Sequence, residues 1–419
     1  KPVSLSAERT YDGSVNLSGS VTILTGIGTE NLSYQDATSS SKDVAITNKF
    51  IDAIMLKNAT DMSGGLASNY MLPTLDASNA PVTINPKTVG LSANRTYDGT
   101  VNLLGSDVTI STGVGIENLT HFGTTSSSKD VAVANNVINS ITLSDAIDSS
   151  GGLAANYQLP ILDYANAPVS IMAKTIVLSA NRIYDGTNDL IDDDVTITTG
   201  VGSETLTHSG TKSSSKDAAV ANKFVNAITL TDATDGSGGL STNYKLPNFD
   251  SINTPVTINP RTVGLFANRT YDGSLDLIGE DVTIITGVEG ETLTHTVTTS
   301  SSKDVSKVDK FIETITLLDA MDGSGGLVSN YQLPSLNSAN APVTINAKMV
   351  ALTANRIYDG SVHLHGDDVT ITTGVGSESL THTGSTVSSK DVAVSNKYID
   401  NIILTDATDG SGGVSSNYQ

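Results

Sequence analysis

The stretch Val-Gly-Leu-Phe-Ala-Asn-Arg-Thr-Tyr-Asp-Gly, residues 263–273, decides the fold of this chain. Successive side chains of a β-strand point to opposite faces, so the Val, Leu, Ala, Arg and Tyr at alternate positions from Val263 to Tyr271 share one face. This alternation is typical of a strand with one buried face. Asp272-Gly273 follows at once and is a short-range signal for a tight turn. The stretch therefore predicts a strand that ends in a turn, with the tyrosine at least partly buried.

The turn motif Tyr-Asp-Gly occurs five times along the 419 residues. Its tyrosines are separated by 86 residues once and by 87 residues three times, and the motifs Ser-Lys-Asp and Asn-Tyr recur every 87 residues. Such self-similarity indicates a tandem array. We predict five copies of one repeat, at residues 1–86, 87–173, 174–260, 261–347 and 348–419. The turn landmarks of the three central motifs are Tyr97, Asp98, Gly99, Tyr184, Asp185, Gly186, Tyr271, Asp272 and Gly273.

The composition favours an all-β fold made of tandem immunoglobulin-like β-sandwiches. Ser, Thr, Asn, Asp and Gly are abundant, and short alternating segments such as residues 195–198 are separated by turn signals. Six or seven antiparallel strands in a copy of this length are typical of such a sandwich. Residues 84–89 lead from one copy to the next with no Gly/Ser linker, which predicts a stiff connection. Five sandwiches in line would form a rod of roughly 150 to 200 Å.

Charge and cysteine content exclude several classes of function. The chain has 23 Lys and Arg against 44 Asp and Glu, a formal net charge of −21, which repels nucleic acids and anionic membrane surfaces. It has no cysteine, so disulfides and thiolate metal sites are excluded. No stretch approaches the roughly 20 apolar residues that a membrane helix needs. We therefore predict neither nucleic-acid binding nor membrane insertion.

Several motifs at fixed spacing resemble a known family. They are Lys-Thr-Val-Gly-Leu-Ser-Ala-Asn-Arg-Thr-Tyr-Asp-Gly-Thr at residues 87–100, Ser-Lys-Asp-Val-Ala-Val around Asp130, Gly-Gly-Leu-Ala-Ala-Asn-Tyr-Gln-Leu ending at Leu159, and Ala-Pro-Val-Ser-Ile around Val169. All five copies are similar to the YDG-type repeats of large bacterial surface adhesins, the filamentous-haemagglutinin-like exported proteins. The resemblance implies an extracellular or cell-surface location and a role in cell adhesion. It carries over no catalytic residue.

The leading functional hypothesis is therefore a structural repeat array, the stalk or spacer of a bacterial surface adhesin. The alternative is a subunit of an extracellular filament that assembles by strand exchange between chains. A carbohydrate-binding module is a third hypothesis, because sandwich folds often carry that function. The partners expected are other copies of the chain or neighbouring repeats, and host or cell-surface glycans.

No catalytic motif is present, and we predict that the chain is not an enzyme. Nucleophile elbows, Walker loops and zinc-protease motifs do not occur.

One histidine per copy recurs, and Tyr34 takes its place in the first copy. A metal-binding or general-base residue would not be replaced by tyrosine, so we interpret this position as a surface strand residue. The four histidines are His121, His208, His295 and His382.

Calcium is the one cofactor that the sequence leaves open. Ca²⁺ takes six to eight oxygen ligands, and groups of aspartates at strand starts and turns offer several. The competing interpretation is that they are solvated turn residues. The candidates are Asp192, Asp193, Asp194, Asp232, Asp235, Asp367 and Asp368.

The fifth copy lacks the counterpart of residues 333–347, which include the predicted closing strand at residues 342–345. Without it the copy is expected to expose a sheet edge, which invites pairing with another strand. We expect either that the chain continues or that a strand of a neighbouring chain fills the gap.

Overall fold

The computed structural model describes residues 1–419 and confirms the all-β fold. Its only helices are single 3-10 turns of three residues, and none is long and apolar enough to cross a bilayer. Five of these turns directly precede the tyrosine of an Asn-Tyr motif: Ala67–Asn69, Ala154–Asn156, Ser241–Asn243, Val328–Asn330 and Ser415–Asn417. Three others, at Asp192–Asp194, Gly279–Asp281 and Gly366–Asp368, precede a strand.

The copies share one order of strands, except that the fifth has no closing strand. The opening strands are Ser4–Thr10, Gly90–Thr96, Val177–Ile183, Gly264–Thr270 and Ala351–Ala354, and the second strands are Val21–Leu24, Val108–Ser111, Val195–Thr198, Val282–Ile285 and Val369–Thr372. The first hairpin strands are Ser33–Ser39, Thr120–Ser126, Thr207–Ser213, Thr294–Ser300 and Thr381–Val387, and their partners are Ile51–Lys57, Ile138–Ser144, Val225–Thr231, Ile312–Leu318 and Ile399–Thr405. The closing strands are Val82–Asn85, Val169–Met172, Val256–Asn259 and Val343–Asn346.

Short two-residue strands lie where one copy follows another. Lys87–Thr88, Lys174–Thr175 and Arg261–Thr262 come directly after a closing strand, separated from it by one residue. Each pairs in parallel with the strand that follows an Asn-Tyr 3-10 turn, at Tyr157–Gln158, Tyr244–Lys245 and Tyr331–Gln332. The chain therefore passes between copies as hydrogen-bonded strand and has no loose linker there.

The opening strand is the centre of a three-stranded sheet. In the second copy it pairs antiparallel with Val108–Ser111, with Leu91 opposite Ile110, and parallel with the closing strand, with Ala93 opposite Val169. The prediction of a wholly antiparallel copy is therefore wrong at this pair. A closing strand reached after a long intervening chain can run in either direction, and hydrophobic alternation is the same for both.

The hairpin completes the core of each copy. In the second copy Thr120–Ser126 pairs antiparallel with Ile138–Ser144 around an irregularity that contains Gly123, whose φ is +62°. Leu91 and Ala93 of the sheet are buried, as are Ile138 and Ile141 of the hairpin. The alternating burial of the opening strand continues to the buried Tyr97 directly after it and matches the face predicted from the sequence.

The pattern of contacts between residues divides the chain into two compact units. The first comprises Lys1–Val177, Ile197–Thr207 and Leu230–Pro247, and the second comprises Leu178–Thr196, His208–Thr229 and Asn248–Gln419. The first two copies lie in the first unit and the last two in the second, while the third copy contributes to both.

The fifth copy has no closing strand, and its opening strand is shortened to Ala351–Ala354. An apolar groove lies along it, lined in part by Leu352, Leu364, Val387 and Ile399. Tyr358, which also lines the groove, is 54% exposed, whereas the corresponding tyrosines of the other copies are at most 1% exposed. The prediction that the turn tyrosines are at least partly buried is confirmed for Tyr97, Tyr184 and Tyr271, and Tyr358 is the most exposed of the five.

Candidate functional site

Successive copies meet at a recurring cluster of side chains, which we call the joint. The preceding copy contributes its Tyr-Asp-Gly turn and its Ser-Lys-Asp loop, and the following copy contributes a glutamate and its Asn-Tyr motif. Four joints form, and each lies wholly within one compact unit. Their glutamates are Glu117, Glu204, Glu291 and Glu378.

The glutamate accepts hydrogen bonds from tyrosines of both copies. In the first joint the Tyr11 hydroxyl donates to Glu117 Oε1 at 2.8 Å, and the Tyr157 hydroxyl donates to Oε2 at 2.7 Å. Lys42 Nζ lies 3.4 Å from Oε1. The carboxylate is thus bound from both sides of the joint. The other joints repeat this arrangement with Tyr97 and Tyr244 on Glu204, Tyr184 and Tyr331 on Glu291, and Tyr271 and Tyr418 on Glu378.

The two tyrosines of a joint also contact each other edge to face. The ring centroids of Tyr11 and Tyr157 are 5.4 Å apart with an interplanar angle of 78°. Aromatic pairs prefer this geometry, which is worth about 0.5–1.5 kcal/mol beyond the burial of their surface. The other three pairs have centroid distances of 5.4 to 5.5 Å. Every joint therefore contains an apolar contact between two tyrosine rings as well as the charged contact at the glutamate.

The asparagine of the Asn-Tyr motif bridges to the loop of the preceding copy. Asn156 Nδ2 donates to Asp43 Oδ1 at 2.9 Å, and its Oδ1 accepts from the Val44 amide at 2.8 Å. Asn156 is fully buried, with 0% exposure. Burying an amide is favourable only when its hydrogen bonds are made, and here the partners belong to another copy. The same pair of bonds is made by Asn243 with Asp130, Asn330 with Asp217, and Asn417 with Asp304.

The glycine of the turn allows the two copies to approach closely. Gly99 has a φ of +84°, and a Cβ added to it would lie 2.6 Å from Val201 Cγ1 of the following copy. Only glycine combines that backbone conformation with the missing side chain. Gly13, Gly186 and Gly273 are in the same situation.

A buried arginine holds the shape of the turn. Arg95 pairs with Asp98 and also donates to the carbonyl oxygens of Thr100 and Asn102. Asp98 in turn accepts from the Thr100 amide at 2.9 Å. The arginine thus pairs with the aspartate of its own turn. Arg9, Arg182 and Arg269 make equivalent contacts.

The hydrogen bonds of the joint shift the pKa values of its groups. Burial opposes ionisation of Glu117, but hydrogen bonds from Tyr157 and Tyr11 and then from Lys42 outweigh it and lower the pKa of the carboxyl. The pKa values of Glu204 and Glu291 are lowered in the same way. Burial, and next the bond to the glutamate, raises the pKa of the Tyr11 hydroxyl above its ordinary 10.0. The joint therefore requires an ionised glutamate and neutral tyrosines.

The predicted calcium ligands lie at separate turns and mostly serve as hydrogen-bond acceptors. Asp194 accepts from the Ile191 amide and Asp368 from the His365 amide, while Asp232 accepts from Ser241. Bonds from the Ser237 amide and then from Thr205 and Ser237 hydroxyls lower the pKa of Asp235 to about 2. Asp192, Asp193 and Asp367 are exposed. The structure contains no group of three or more His, Cys, Asp or Glu side chains arranged to hold a metal ion.

The recurring histidines are less exposed than the sequence predicted. The side chain of His208 is 7% exposed, and its Nδ1 is 2.7 Å from Thr211 Oγ1. His121 and His295 make the same contact with the threonine three residues later, and His382 with a serine. The prediction of a surface residue is therefore wrong for His208. Tyr34 in the first copy instead donates to the Leu17 carbonyl.

The glutamate of the joint was not among the residues singled out from the sequence. It recurs at Glu30, Glu117, Glu204, Glu291 and Glu378, always 87 residues apart. That spacing is as regular as the spacing of the Asn-Tyr motif, so it was a usable signal. Its tyrosine partner in the preceding copy lies 106 or 107 residues away, a separation that a local motif does not indicate.

No protein-family model matches the chain, and no match is found among curated proteins or solved structures.

The first prediction concerns the bridging asparagine. Asn156→Ala leaves the Val44 amide and the Asp43 carboxylate unpaired inside the joint, and we expect a loss of about 1–3 kcal/mol for each unsatisfied group. Asn69→Ala is the matched control, because Asn69 holds the same place in the first copy but is exposed. Urea unfolding of the whole chain measures the free energy of unfolding of the two variants. Equal stabilities of the two variants would contradict the assignment.

The second prediction separates the close approach from the backbone conformation. Gly99→Ala and Gly360→Ala place a methyl group at nearly the same φ, +84° and +81°, so their intrinsic strain is alike. A Cβ placed on Gly99 meets Val201, whereas a Cβ placed on Gly360 has nothing within 4 Å. We expect Gly99→Ala to lower the melting temperature more than Gly360→Ala does. Equal shifts would show that the turn, and not the contact with the next copy, requires glycine.

The third prediction concerns alkaline pH. Because the folded pKa of the joint tyrosines is raised above 10.0, their stabilising contribution is full below that pH and declines as the pH rises through it. We expect the free energy of unfolding to fall above about pH 10. Tyr271→Phe removes one such hydroxyl and should reduce the slope. A stability that is flat from neutral pH to about pH 12 would contradict this.

Proposed function

We propose that this chain is a structural array of immunoglobulin-like sandwiches that serves as the stalk or spacer of an extracellular bacterial surface adhesin. The observation that carries the proposal is the fourfold recurrence of one joint with the same side-chain contacts. A chain that only needed to connect independent domains would tolerate variable linkers. Repetition of a specific contact between neighbours is what a spacer of defined length requires.

The path of the backbone supports a stiff connection. The closing strand Val82–Asn85 and the short strand Lys87–Thr88 are separated only by Pro86. The Tyr11 amide donates to the Asn85 carbonyl at 2.9 Å, and Lys87 pairs with Tyr157. Proline fixes its own φ near −65°. Backbone hydrogen bonds within the first copy reach Asn85 and those within the second begin at Lys87, so only the constrained proline lies between them.

The side chains of the joint resist bending in the same way. Moving the second copy away from the first would separate Asn156 from Asp43 and Tyr11 from Glu117. Each bond is short-ranged, so a small rotation is enough to lose it. Stability in such arrays is approximately a sum of terms for single repeats and for contacts between neighbours. We infer that the joints supply the stabilising contacts between neighbours. We also infer that the exposed faces of the repeats carry no catalytic function.

The alternative function, a filament subunit assembled by strand exchange, is supported by one observation. The opening strand Ala351–Ala354 of the fifth copy has a free edge where the other copies pair their closing strand, and it borders an apolar groove. A free edge can accept a strand from another chain. The occupant would need the Pro-Val-x-Ile pattern of residues 342–345.

Solution scattering and electron microscopy of the purified chain test the proposal. Five copies in line predict particles of roughly 150 to 200 Å. Replacing all four bridging asparagines by alanine should leave the circular dichroism of the β-sheets unchanged. It should reduce the maximum dimension of the particle. Asn69→Ala should not change it. A compact wild-type particle, or one whose dimension the four substitutions do not alter, would contradict the spacer, and indefinite fibres would favour strand exchange.

A further inference from the structure

A lysine follows the Ser-Lys-Asp motif at one fixed place in four of the five copies, and Asn136 replaces it in the second copy. The lysines are Lys49, Lys223, Lys310 and Lys397. The first three are buried, with exposures of 6% to 8%. Because a buried ammonium group is unfavourable without partners, the loop between the motif and the lysine has to supply acceptors for it.

The loop supplies main-chain carbonyl oxygens. Lys223 Nζ donates to the Ala218 carbonyl at 3.0 Å and to the Val220 carbonyl at 2.5 Å. Burial lowers the pKa of Lys223, and the nearby carboxylate of Asp217 opposes that shift. The loop thus encloses a cation between two carbonyl groups and beside a carboxylate. Equivalent bonds of 2.5 to 3.1 Å join Lys49 to Val44 and Ile46, and Lys310 to Val305 and Lys307.

The second copy forms the same loop without a lysine. Asn135 has a φ of +57°, against +56° at Asn222, its counterpart in the third copy. The Val131 amide donates to Asn243 Oδ1 at 2.8 Å, and Asp130 Oδ1 accepts from Asn243 Nδ2 at 2.8 Å, as in the other joints. The backbone of this loop is therefore held in the conformation that encloses an ammonium group elsewhere.

Asn136 does not take over the role of the lysine. Its Oδ1 accepts from the Ser127 hydroxyl at 2.7 Å and from the Ser128 amide at 3.1 Å, and its Nδ2 donates to the Ser128 carbonyl at 2.9 Å. The side chain is 4% exposed, and these bonds direct it away from the carbonyls of Val131 and Val133. Those two carbonyls accept no hydrogen bond from the protein, although their counterparts in the third copy hold an ammonium group.

We propose that this loop of the second copy binds a monovalent cation of the size of ammonium, such as potassium, between the carbonyl oxygens of Val131 and Val133 and the carboxylate of Asp130. Main-chain carbonyl oxygens can replace the water around such an ion. The ammonium group of Lys129 does not fill the place, because it pairs with Glu204 at 3.2 Å. Calcium takes six to eight oxygen ligands, more than this loop supplies.

The site would stabilise the joint between the second and third copies. Asp130 and Val131 bind Asn243 of the third copy, so an ion that orders their loop also orders these bonds. The other joints have a covalently attached ammonium group for the same purpose. The inference goes beyond the spacer function and does not depend on it, because it uses only the loop and its contacts.

Native-state hydrogen exchange of the full chain tests the proposal at the Val131 amide, which donates to Asn243. Potassium chloride is compared with tetramethylammonium chloride at equal ionic strength, because tetramethylammonium is too large for the loop. Potassium should slow the exchange by the factor 1 + [K⁺]/Kd, which is about twofold when the potassium concentration equals Kd. The Val44, Ala218 and Val305 amides belong to loops that hold a lysine, so each should exchange equally in both salts.

Two variants exchange the roles of the loops. Asn136→Lys places an ammonium group in the second copy, and its Val131 amide should be protected alike in both salts. Lys223→Asn removes an ammonium group from the third copy and should make exchange of the Ala218 amide depend on potassium. Equal exchange of the wild-type Val131 amide in the two salts would overturn the proposal, and so would a potassium effect that persists in Asn136→Lys. Stronger protection by calcium chloride at the same ionic strength would overturn the assignment to a monovalent ion. All of these outcomes leave the spacer proposal intact.

Discussion

No copy of this repeat can satisfy the asparagine of its own Asn-Tyr motif. The partners of Asn156 are a carboxylate and a backbone amide of the preceding copy, and the side chain is fully buried. A buried amide without partners costs free energy comparable to the hydrogen bonds it lacks. The asparagines of the second to fifth copies are therefore buried and paired only through contact with the preceding copy. This dependence distinguishes the chain from a series of independent domains joined by linkers.

The glutamate adds a second requirement of the same kind. A carboxylate placed between two buried tyrosines would be unfavourable if it stood alone, because desolvation disfavours the charged form. Two hydroxyls and a lysine compensate for that cost at Glu117, and one hydroxyl and the lysine come from the preceding copy. Polar contacts of this kind depend on geometry more than apolar contacts do. The joint therefore specifies one orientation of neighbouring copies within each compact unit.

The repeat, the all-β class and the buried face of the opening strand could be predicted from the sequence because they depend on local periodicity. Val263, Leu265 and Ala267 alternate with less buried residues and are buried as expected. The direction of the closing strand could not be predicted, since Val169 would be buried in either direction.

The joint itself could be predicted only in part. Tyr97 and Asn156 were recognised as recurring landmarks, but their partners lie more than 100 residues away along the chain. A motif shows that a residue recurs, but it does not show which copy that residue contacts. The sequence leaves the role of the acidic turns open for a related reason. Carboxylates such as Asp194, which accept backbone amides, form the same sequence pattern as carboxylates that bind a cation.

Native-state hydrogen exchange at one backbone position of each copy tests the central claim most directly. The amides of Val44, Val131, Ala218 and Val305 donate to an asparagine of the following copy, whereas the amide of Val392 in the fifth copy has no such partner. Exchange requires that the bond open, so the first four amides should exchange slowly and Val392 rapidly. Equal protection at all five positions would contradict the account, because it would show that the loop is held by its own copy and not by its neighbour.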